Sequence, residues 1–206
     1  METIVATVLA ELDRLGLLLQ SDGRFPSVAG LVVGAPVTGS WWGHPRGKEI
    51  YAVAVEVGEH ADVLTVKLVD GKLTLVHRRH WADLLAIARA GAPWQLAGLT
   101  PLARDLHGRV VKAGELHPDP PKKRSAVDPK RKEAIQQLES RLLVYSSSVH
   151  TPSGAHARSL ESWDHLMKRL KLPAAPRAVA DAQKALEKAA AGLAPGQPPP
   201  PLPWPR

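Results

Sequence analysis

The segment GSWWGHPRGKEIY at residues 39–51 concentrates side chains that could bind a ligand or do chemistry. It contains two of the six tryptophans, next to each other, together with a histidine, two cationic residues and a tyrosine. A second cationic group, VHRRHW, lies at residues 76–81. If the two groups converge, they form a cationic pocket walled by indoles, which suits a phosphate or a stacked base. The predicted pocket residues are Trp41, Trp42, His44, Arg46, Lys48, His77, Arg78 and Arg79.

Two other interpretations of the same segment stay open. Ser40 or the glycines could start a helix while one tryptophan packs on the core, which would make the segment structural. Alternatively, His44 or His77 could act as a general base. The sequence offers no spacing that identifies a nucleophile, a metal-ligand set or a glycine-rich phosphate loop. It therefore predicts no cofactor and no metal site, and the catalytic residues of an enzyme would be unknown.

A second group of candidate residues is basic and belongs to the later half of the chain. Asp128-Pro129 is a typical helix start, and Ile135, Leu138 and Leu142 would form the buried stripe of that helix. Its outward face then offers lysine and glutamine to phosphates and base edges. The predicted nucleic-acid-binding residues are Lys122, Lys123, Arg124, Lys130, Arg131, Lys132, Gln136, Gln137 and Arg158.

In the first half of the chain, helices and one hairpin must position the pocket. We expect a helix over residues 3 to about 20, a short helix or apolar turn between Ser27 and Gly34, and a further helix over KEIYAVAVEV. Asp70-Gly71 between two apolar runs predicts a hairpin over residues 62–78 with a type I′ turn. Pairing outward from the turn places Leu64, Val66, Leu68, Leu73 and Leu75 on one buried face, with Lys67 and Thr74 exposed.

The order of elements in the second half is typical of a winged helix-turn-helix. A helix starting at Thr100-Pro101 and the helix starting at Asp128 are followed by an antiparallel ribbon over residues 142–160, turned at Thr151 to Gly154. A further helix over ESWDHLMKRLKL and an Ala-rich helix over residues 177–193 come next. The segment PGQPPPPLPWPR has seven prolines in twelve residues, so we expect an extended, partly disordered tail that could bind a protein partner.

Composition and charge limit the function classes. The chain has no cysteine, which excludes disulfides and thiolate metal sites and favours the cytoplasm. Acidic residues interrupt the first helix, so it does not resemble a signal peptide, and no apolar run is long enough to predict a membrane span. Residues 1–100 hold nine Lys and Arg against ten Asp and Glu, and residues 101–206 hold eighteen against ten. The excess positive charge in the second half points to a polyanionic partner, or serves solubility alone.

Two stretches carry a resemblance. GSWWGHPRG together with DVLTVKLVDGKLTLVHRRHW resembles an uncharacterised bacterial protein family with SWWxHP, KLVxGKxT and VHRRxW segments, over about residues 25–95. SSSVHTPSGAHARSLESW is also similar to that family. The resemblance implies a bacterial origin and a shared architecture, but no reaction. The carboxy-terminal part resembles winged-helix proteins in layout, including winged-helix DNA-repair glycosylases, although no catalytic motif of those enzymes matches.

The sequence therefore predicts an α+β protein. We expect a helix-rich domain with one hairpin over residues 1–98, a basic winged-helix-like domain over residues 99–172 and an Ala/Pro-rich tail over residues 173–206. The favoured function is a cytoplasmic DNA-binding protein in regulation or repair. The alternatives are an enzyme that acts on a phosphate-bearing or nucleic-acid substrate through the Trp/His/Arg pocket, and an interaction scaffold that recruits partners through its tail.

Overall fold

The protein is a mixed α+β chain with two small antiparallel sheets. The computed structural model describes residues 2–117, 128–150, 156–172 and 177–205, without the side chains of residues 148–150, 156 and 157. These residues divide into two compact units. Unit 1 comprises residues 1–84 and 180–202, and unit 2 comprises residues 85–179 and 203–206. The predicted domain boundaries at residues 98 and 172 stay predictions, because compactness does not test independent folding.

In the amino-terminal part of unit 1, three α-helices pack against a three-stranded sheet. The helices are α1 (Glu2–Leu15), α2 (Val28–Val33) and α3 (Gly47–Gly58). The strands are β1 (Leu17–Leu19), β2 (Val63–Lys67) and β3 (Leu73–His77), in the order β1-β3-β2. Apolar side chains from all three helices form one core with the sheet, which includes Val8, Leu12, Val28, Ile50 and Val53. The short helix predicted between Ser27 and Gly34 is confirmed: the Ser27 hydroxyl accepts a hydrogen bond from the Gly30 N–H, and Gly34 ends the helix with φ +84°.

The first helix is shorter than the sequence predicts. Instead of continuing to residue 20, α1 ends at Leu15, because Gly16 takes a left-handed conformation with φ +82° and its N–H donates to the Leu12 carbonyl. Leu17, Leu18 and Leu19 then form β1, which pairs with β3. All three leucines are fully buried. The run of leucines therefore serves as a core strand, which helical periodicity does not indicate.

The hairpin has the predicted turn but not the predicted register. Asp70 and Gly71 both have positive φ, and the Lys72 N–H donates to the Val69 carbonyl, as the type I′ turn requires. Leu68, however, leaves the extended conformation with φ −114° and ψ −61°. This bulge adds one residue to the first strand, so Val66 lies opposite Thr74 rather than Leu75.

The bulge reverses two side chains relative to the prediction. Leu73 is 43% exposed and Thr74 is fully buried, whereas the predicted register has Leu73 inside and Thr74 outside. The Thr74 hydroxyl accepts from the Val69 N–H and donates to the Lys72 carbonyl, so its polar atom is satisfied inside the turn. The predicted burial of Leu64, Val66, Leu68 and Leu75 is confirmed.

Unit 2 packs helices around a second three-stranded sheet. Its helices are α5 (Pro93–Leu96), α6 (Pro101–Ala113), α7 (Pro129–Ser140) and α8 (Trp163–Arg169), and helix α4 (Trp81–Ala88) contains the boundary with unit 1. Its strands are β4 (Glu115–Leu116), β5 (Tyr145–His150) and β6 (His156–Glu161), in the order β4-β6-β5. Buried residues of α6 and α7, among them Leu106, Val110, Ile135 and Leu138, form the core with Leu160 of β6.

The predicted antiparallel ribbon is confirmed as the pair β5 and β6. Tyr145 lies opposite Glu161 at one end, and residue 150 lies opposite residue 156 at the other. The predicted turn at residues 151–154 lies outside the described residues. The two predicted helix starts are also confirmed, since the side chains of Thr100 and Asp128 accept backbone hydrogen bonds at the starts of α6 and α7. Leu142, predicted within the second helix, follows its end but is buried.

The carboxy-terminal segment contains helix α9 (Val179–Gly192) followed by an extended proline-rich stretch. The Asp70 N–H donates to the Pro201 carbonyl at 2.9 Å within unit 1. Within unit 2, Trp204 is 4% exposed and its ring lies 6.3 Å from that of Trp94. The described tail residues are therefore held by specific contacts rather than only solvated.

Candidate functional site

Helix α7 presents a polar face with basic residues. Asp128 caps the helix by accepting from the Lys130 N–H at 3.0 Å, and Pro129 occupies the first helical position. Its exposed positions include Lys130, Glu133 and Ser140, which the helical period places outward, and Lys132 and Gln136, which it places on the flanks; Gln137, also predicted outward, is half-buried. Arg131 is half-buried. Three predicted nucleic-acid-binding residues, Lys122, Lys123 and Arg124, lie outside the described residues.

Gln137 has a structural role that its sequence position does not reveal. Its side-chain carbonyl accepts from the Thr100 N–H at 3.0 Å and from the Thr100 hydroxyl at 3.2 Å. Its amide nitrogen donates to Glu133 at 3.4 Å. Because these bonds join α7 to the start of α6, Gln137 is held within unit 2, while its neighbour Gln136 faces solvent.

Arg158, the predicted contact on the ribbon, is also engaged within unit 2. Its guanidinium lies 3.3 Å from the carboxylate of Glu139, which is a buried residue of α7. About half of the Arg158 side chain stays accessible to solvent. The ion pair therefore connects the ribbon to α7 and leaves part of the guanidinium at the surface.

The two tryptophans of the opening segment form an aromatic platform, which we define as Trp41, Trp42 and Tyr51. The Trp41 and Trp42 rings stack with centroids 4.1 Å apart and an interplanar angle of 23°. Tyr51 on α3 lies 5.5 Å from Trp42. Trp41 packs against the core of unit 1, whereas Trp42 is 67% exposed. One ring is thus anchored and the other is presented to solvent.

The cationic residues beside the platform have local partners. Arg46 donates two hydrogen bonds of 2.8 Å to the carboxylate of Glu49. His44 accepts from the Arg46 N–H through Nδ1 at 3.1 Å, which fixes its ring in the turn before α3. Lys48 is exposed and has no ion-pair partner in the described part of the chain. The structural interpretation of the segment, a turn that leads into α3, is consistent with these contacts.

Residues of the VHRRHW group form hydrogen bonds with the carboxyl end of α1. The His77 N–H donates to the Gly16 carbonyl, and the Arg79 guanidinium donates to the Asp13 carbonyl in the last turn of α1. A cation is favourable at a helix carboxyl end. A Cβ on Gly16 would lie 2.6 Å from His80 Nε2, so only glycine leaves room for that ring. These contacts give the group a structural role.

The predicted pocket requires the two cationic groups to share a cleft. In the structure each group pairs with different acidic residues. Arg78 pairs with Asp62 at 2.9 Å, while His77 and Arg79 lie 3.6 and 3.8 Å from Asp13. Burial lowers the pKa of His77, although Asp13 opposes this effect. A neutral His77 is a weak partner for an anion. Convergence of His44 with residues 77–79 on one ligand stays a prediction.

Sequence reasoning missed an ionic network at the end of the ribbon. Glu161 is buried and accepts from Arg169 at 2.9 and 2.8 Å and from His165 Nδ1 at 2.7 Å. Burial raises the pKa of Glu161, and the bonds from Arg169 and His165 outweigh it, so the pKa lies below its usual value. The spacing of four residues from Glu161 to His165 and four more to Arg169 is the only sequence signal. The network fastens α8 to β6.

Comparisons with protein-family models, curated proteins and solved structures found no match to this chain. None of the helices in residues 2–117, 128–150, 156–172 and 177–205 has the length and apolar character that a bilayer crossing requires. The same described residues contain no cluster of His, Asp and Glu suited to a metal ion. The functional assignment therefore depends on the geometry and charge of the two units.

Proposed function

We propose that this chain is a DNA-binding protein of the regulatory or repair type in the bacterial cytoplasm. In this proposal unit 2 acts as a winged-helix module: α7 enters the major groove, and the ribbon of β5 and β6 forms the wing. The observation that supports this proposal most directly is the polar face of α7, on which Lys130, Lys132 and Gln136 are exposed to solvent. Lysines on such a face suit phosphates, and glutamine suits the edge of adenine.

The order of elements in unit 2 supports this proposal. Helix α6, strand β4, helix α7 and the ribbon follow one another, and β6 lies between β4 and β5. A pair of helices followed by a two-stranded ribbon is the order of a winged helix-turn-helix. Helices α6 and α7 share one apolar core, which would hold α7 firmly against a groove.

The distribution of charge supports the same unit. Unit 2 contains 17 Lys and Arg against 8 Asp and Glu, a balance of +9, whereas unit 1 contains 10 against 12, a balance of −2. Neutralising DNA phosphates releases counterions, so a compact unit of this charge gains affinity for a duplex.

Duplex binding measured over a range of salt concentrations tests the proposal. The variant Lys130→Gln/Lys132→Gln removes two charges from α7, and Lys184→Gln/Lys188→Gln removes two exposed charges from α9 as a matched control. We expect the α7 variant to reduce the log–log salt slope by about 1.8, since each lost phosphate contact reduces it by about 0.9. The α9 variant should leave the slope nearly unchanged.

Two outcomes would reject the proposal. The unmodified protein should bind duplex DNA at about 50 mM salt, where the electrostatic contribution is large, and no binding there would exclude it. Equal losses from the α7 and α9 variants would show that net charge alone, rather than the α7 face, attracts the duplex. The DNA-binding surface would then have to be sought elsewhere.

A further inference from the structure

We propose that the aromatic platform of Trp41, Trp42 and Tyr51 is a second nucleic-acid site, which stacks an unpaired base of a single strand. This inference rests on the proposed function, because it assigns a single-stranded ligand to unit 1 of a protein whose unit 2 binds duplex DNA. Base stacking on an aromatic side chain tolerates every base, since each base has a π face. The platform would therefore bind unpaired strands without reading their sequence.

The platform is preformed. The Trp41 carbonyl accepts from the His44 N–H at 3.0 Å, and the His44 carbonyl accepts from the Gly47 N–H at 2.8 Å, so two consecutive turns fix the backbone around the rings. A Cβ on Gly47 would lie 3.1 Å from the Trp41 carbonyl oxygen and 3.2 Å from that of Trp42, which shows how tightly the chain folds there. The Trp42 ring is thus held against Trp41 and beside Tyr51, and it remains 67% exposed to a ligand.

Local charge decides which kind of planar ligand fits. Within six positions the segment carries His44, Arg46 and Lys48 against the single acid Glu49, although unit 1 as a whole is acidic. Arg46 is paired to Glu49, so its charge is largely neutralised. Lys48, six residues after Trp42 in the sequence, is exposed and supplies a positive charge. A cationic ligand, which would otherwise suit an indole face, is repelled there. A ring attached to a phosphate is attracted both by stacking and by charge.

The test compares two single strands of about 12 nucleotides, a length typical of such sites. One is oligothymidylate, and the other has the same phosphates with abasic sugars. The ratio of their affinities isolates stacking from charge. For the unmodified full chain we expect a preference of about 5- to 150-fold for the strand with bases. Trp42→Ala should abolish this preference, and Trp42→Phe, which keeps a planar face, should retain part of it.

Controls separate this proposal from misfolding and from the function of unit 2. Leu73→Ala truncates another exposed apolar side chain of unit 1 and should leave the preference unchanged. Lys130→Gln/Lys132→Gln should weaken both strands by the same factor or not at all, so a failure of the α7 proposal would leave the base preference intact. Thermal unfolding of each variant verifies that it is folded.

Three results would overturn the proposal. The first is equal affinity of the unmodified protein for the two strands. The second is a preference that persists in Trp42→Ala. The third is quenching of tryptophan fluorescence by a proline-rich peptide but by neither strand, with the quenching lost in Trp42→Ala, which would assign the platform to a peptide partner.

Discussion

Gln136 and Gln137 are adjacent on α7, yet their surroundings give them different roles. Gln137 accepts two hydrogen bonds from Thr100, whereas Gln136 faces solvent. We expect Gln137→Ala to lower the free energy of unfolding by about 1–3 kcal/mol, because partly buried donors lose their acceptor. Gln136→Ala should change it by less than about 0.5 kcal/mol. Urea denaturation of both variants measures the difference.

In DNA binding the same two variants should behave in the opposite way. Selection from a pool of random duplexes should show relaxed sequence preference for Gln136→Ala, with a loss of about 1–3 kcal/mol at the base it contacts. Gln137→Ala should select the same sequences as the unmodified protein. If Gln137→Ala alone relaxed the preference, the outward face of α7 would be wrongly assigned.

Glu161 should make stability depend on pH. Its pKa in the folded protein lies below its usual value of 4.5, so its ion pairs contribute fully above that pH and are lost as the pH falls through the folded pKa. We expect Glu161→Gln to cost about 1.5–3 kcal/mol at pH 7, the range for hydrogen bonds to a charged group. The difference in unfolding free energy between the two proteins should shrink from pH 5 towards pH 3. A difference that stayed constant over this range would contradict the ionic role of Glu161.

At the scale of elements, the bulged hairpin offers a direct test of register. Thr74→Val keeps the shape of the buried side chain but leaves the Val69 N–H without its acceptor, so we expect a loss of about 1–3 kcal/mol. Leu73→Thr, at the exposed position next to it, should change stability by less than about 0.5 kcal/mol. Denaturant unfolding of both variants provides the measurement. The unbulged register predicts the reverse order of losses.

Whether a helix or strand can be predicted from the sequence depends on how many residues separate the groups that stabilise it. The helix starts at Ser27, Thr100 and Asp128 were predictable because each cap bonds to a backbone N–H two or three residues away. Strand β1 was not predictable, because its partner β3 lies more than fifty residues further along the chain. The bulge at Leu68 was not predicted, because the Asp70-Gly71 pair specifies the turn but not the number of residues in each strand.

In the candidate sites, too, local features were predictable and contacts between distant residues were not. The helical period of α7 correctly places Lys130, Glu133 and Ser140 outward but also places Gln137 there. The bonds of Gln137 to Thr100 and of Arg158 to Glu139 join residues that are distant in sequence. The stacking of Trp41 and Trp42 is local, and their adjacency drew attention to them. Which of the two rings is exposed depends on the core of unit 1, and only the structure gives that answer.

For the molecule as a whole, Trp204 tests whether the proline-rich tail is part of the fold. Its ring is buried in unit 2 beside Trp94. We expect Trp204→Ala to cost about 3–5 kcal/mol, the usual range for removing a buried indole. Pro205→Ala, at the exposed next residue, should be nearly neutral. Urea unfolding that did not distinguish the two variants would mean that the tail is free in solution.

Unit 1 is built from residues on both sides of unit 2 in the sequence, and this order has a consequence for synthesis on the ribosome. Helix α9, with Ala182, Leu186 and Ala190 buried, leaves the ribosome after the 95 residues of 85–179. At about 5–20 residues per second, the nascent amino-terminal segment waits about 5–20 s for α9. The part of unit 1 that packs against α9 is uncovered during this interval. A ribosome-associated chaperone would bind the nascent chain there, and release from it would await the emergence of α9.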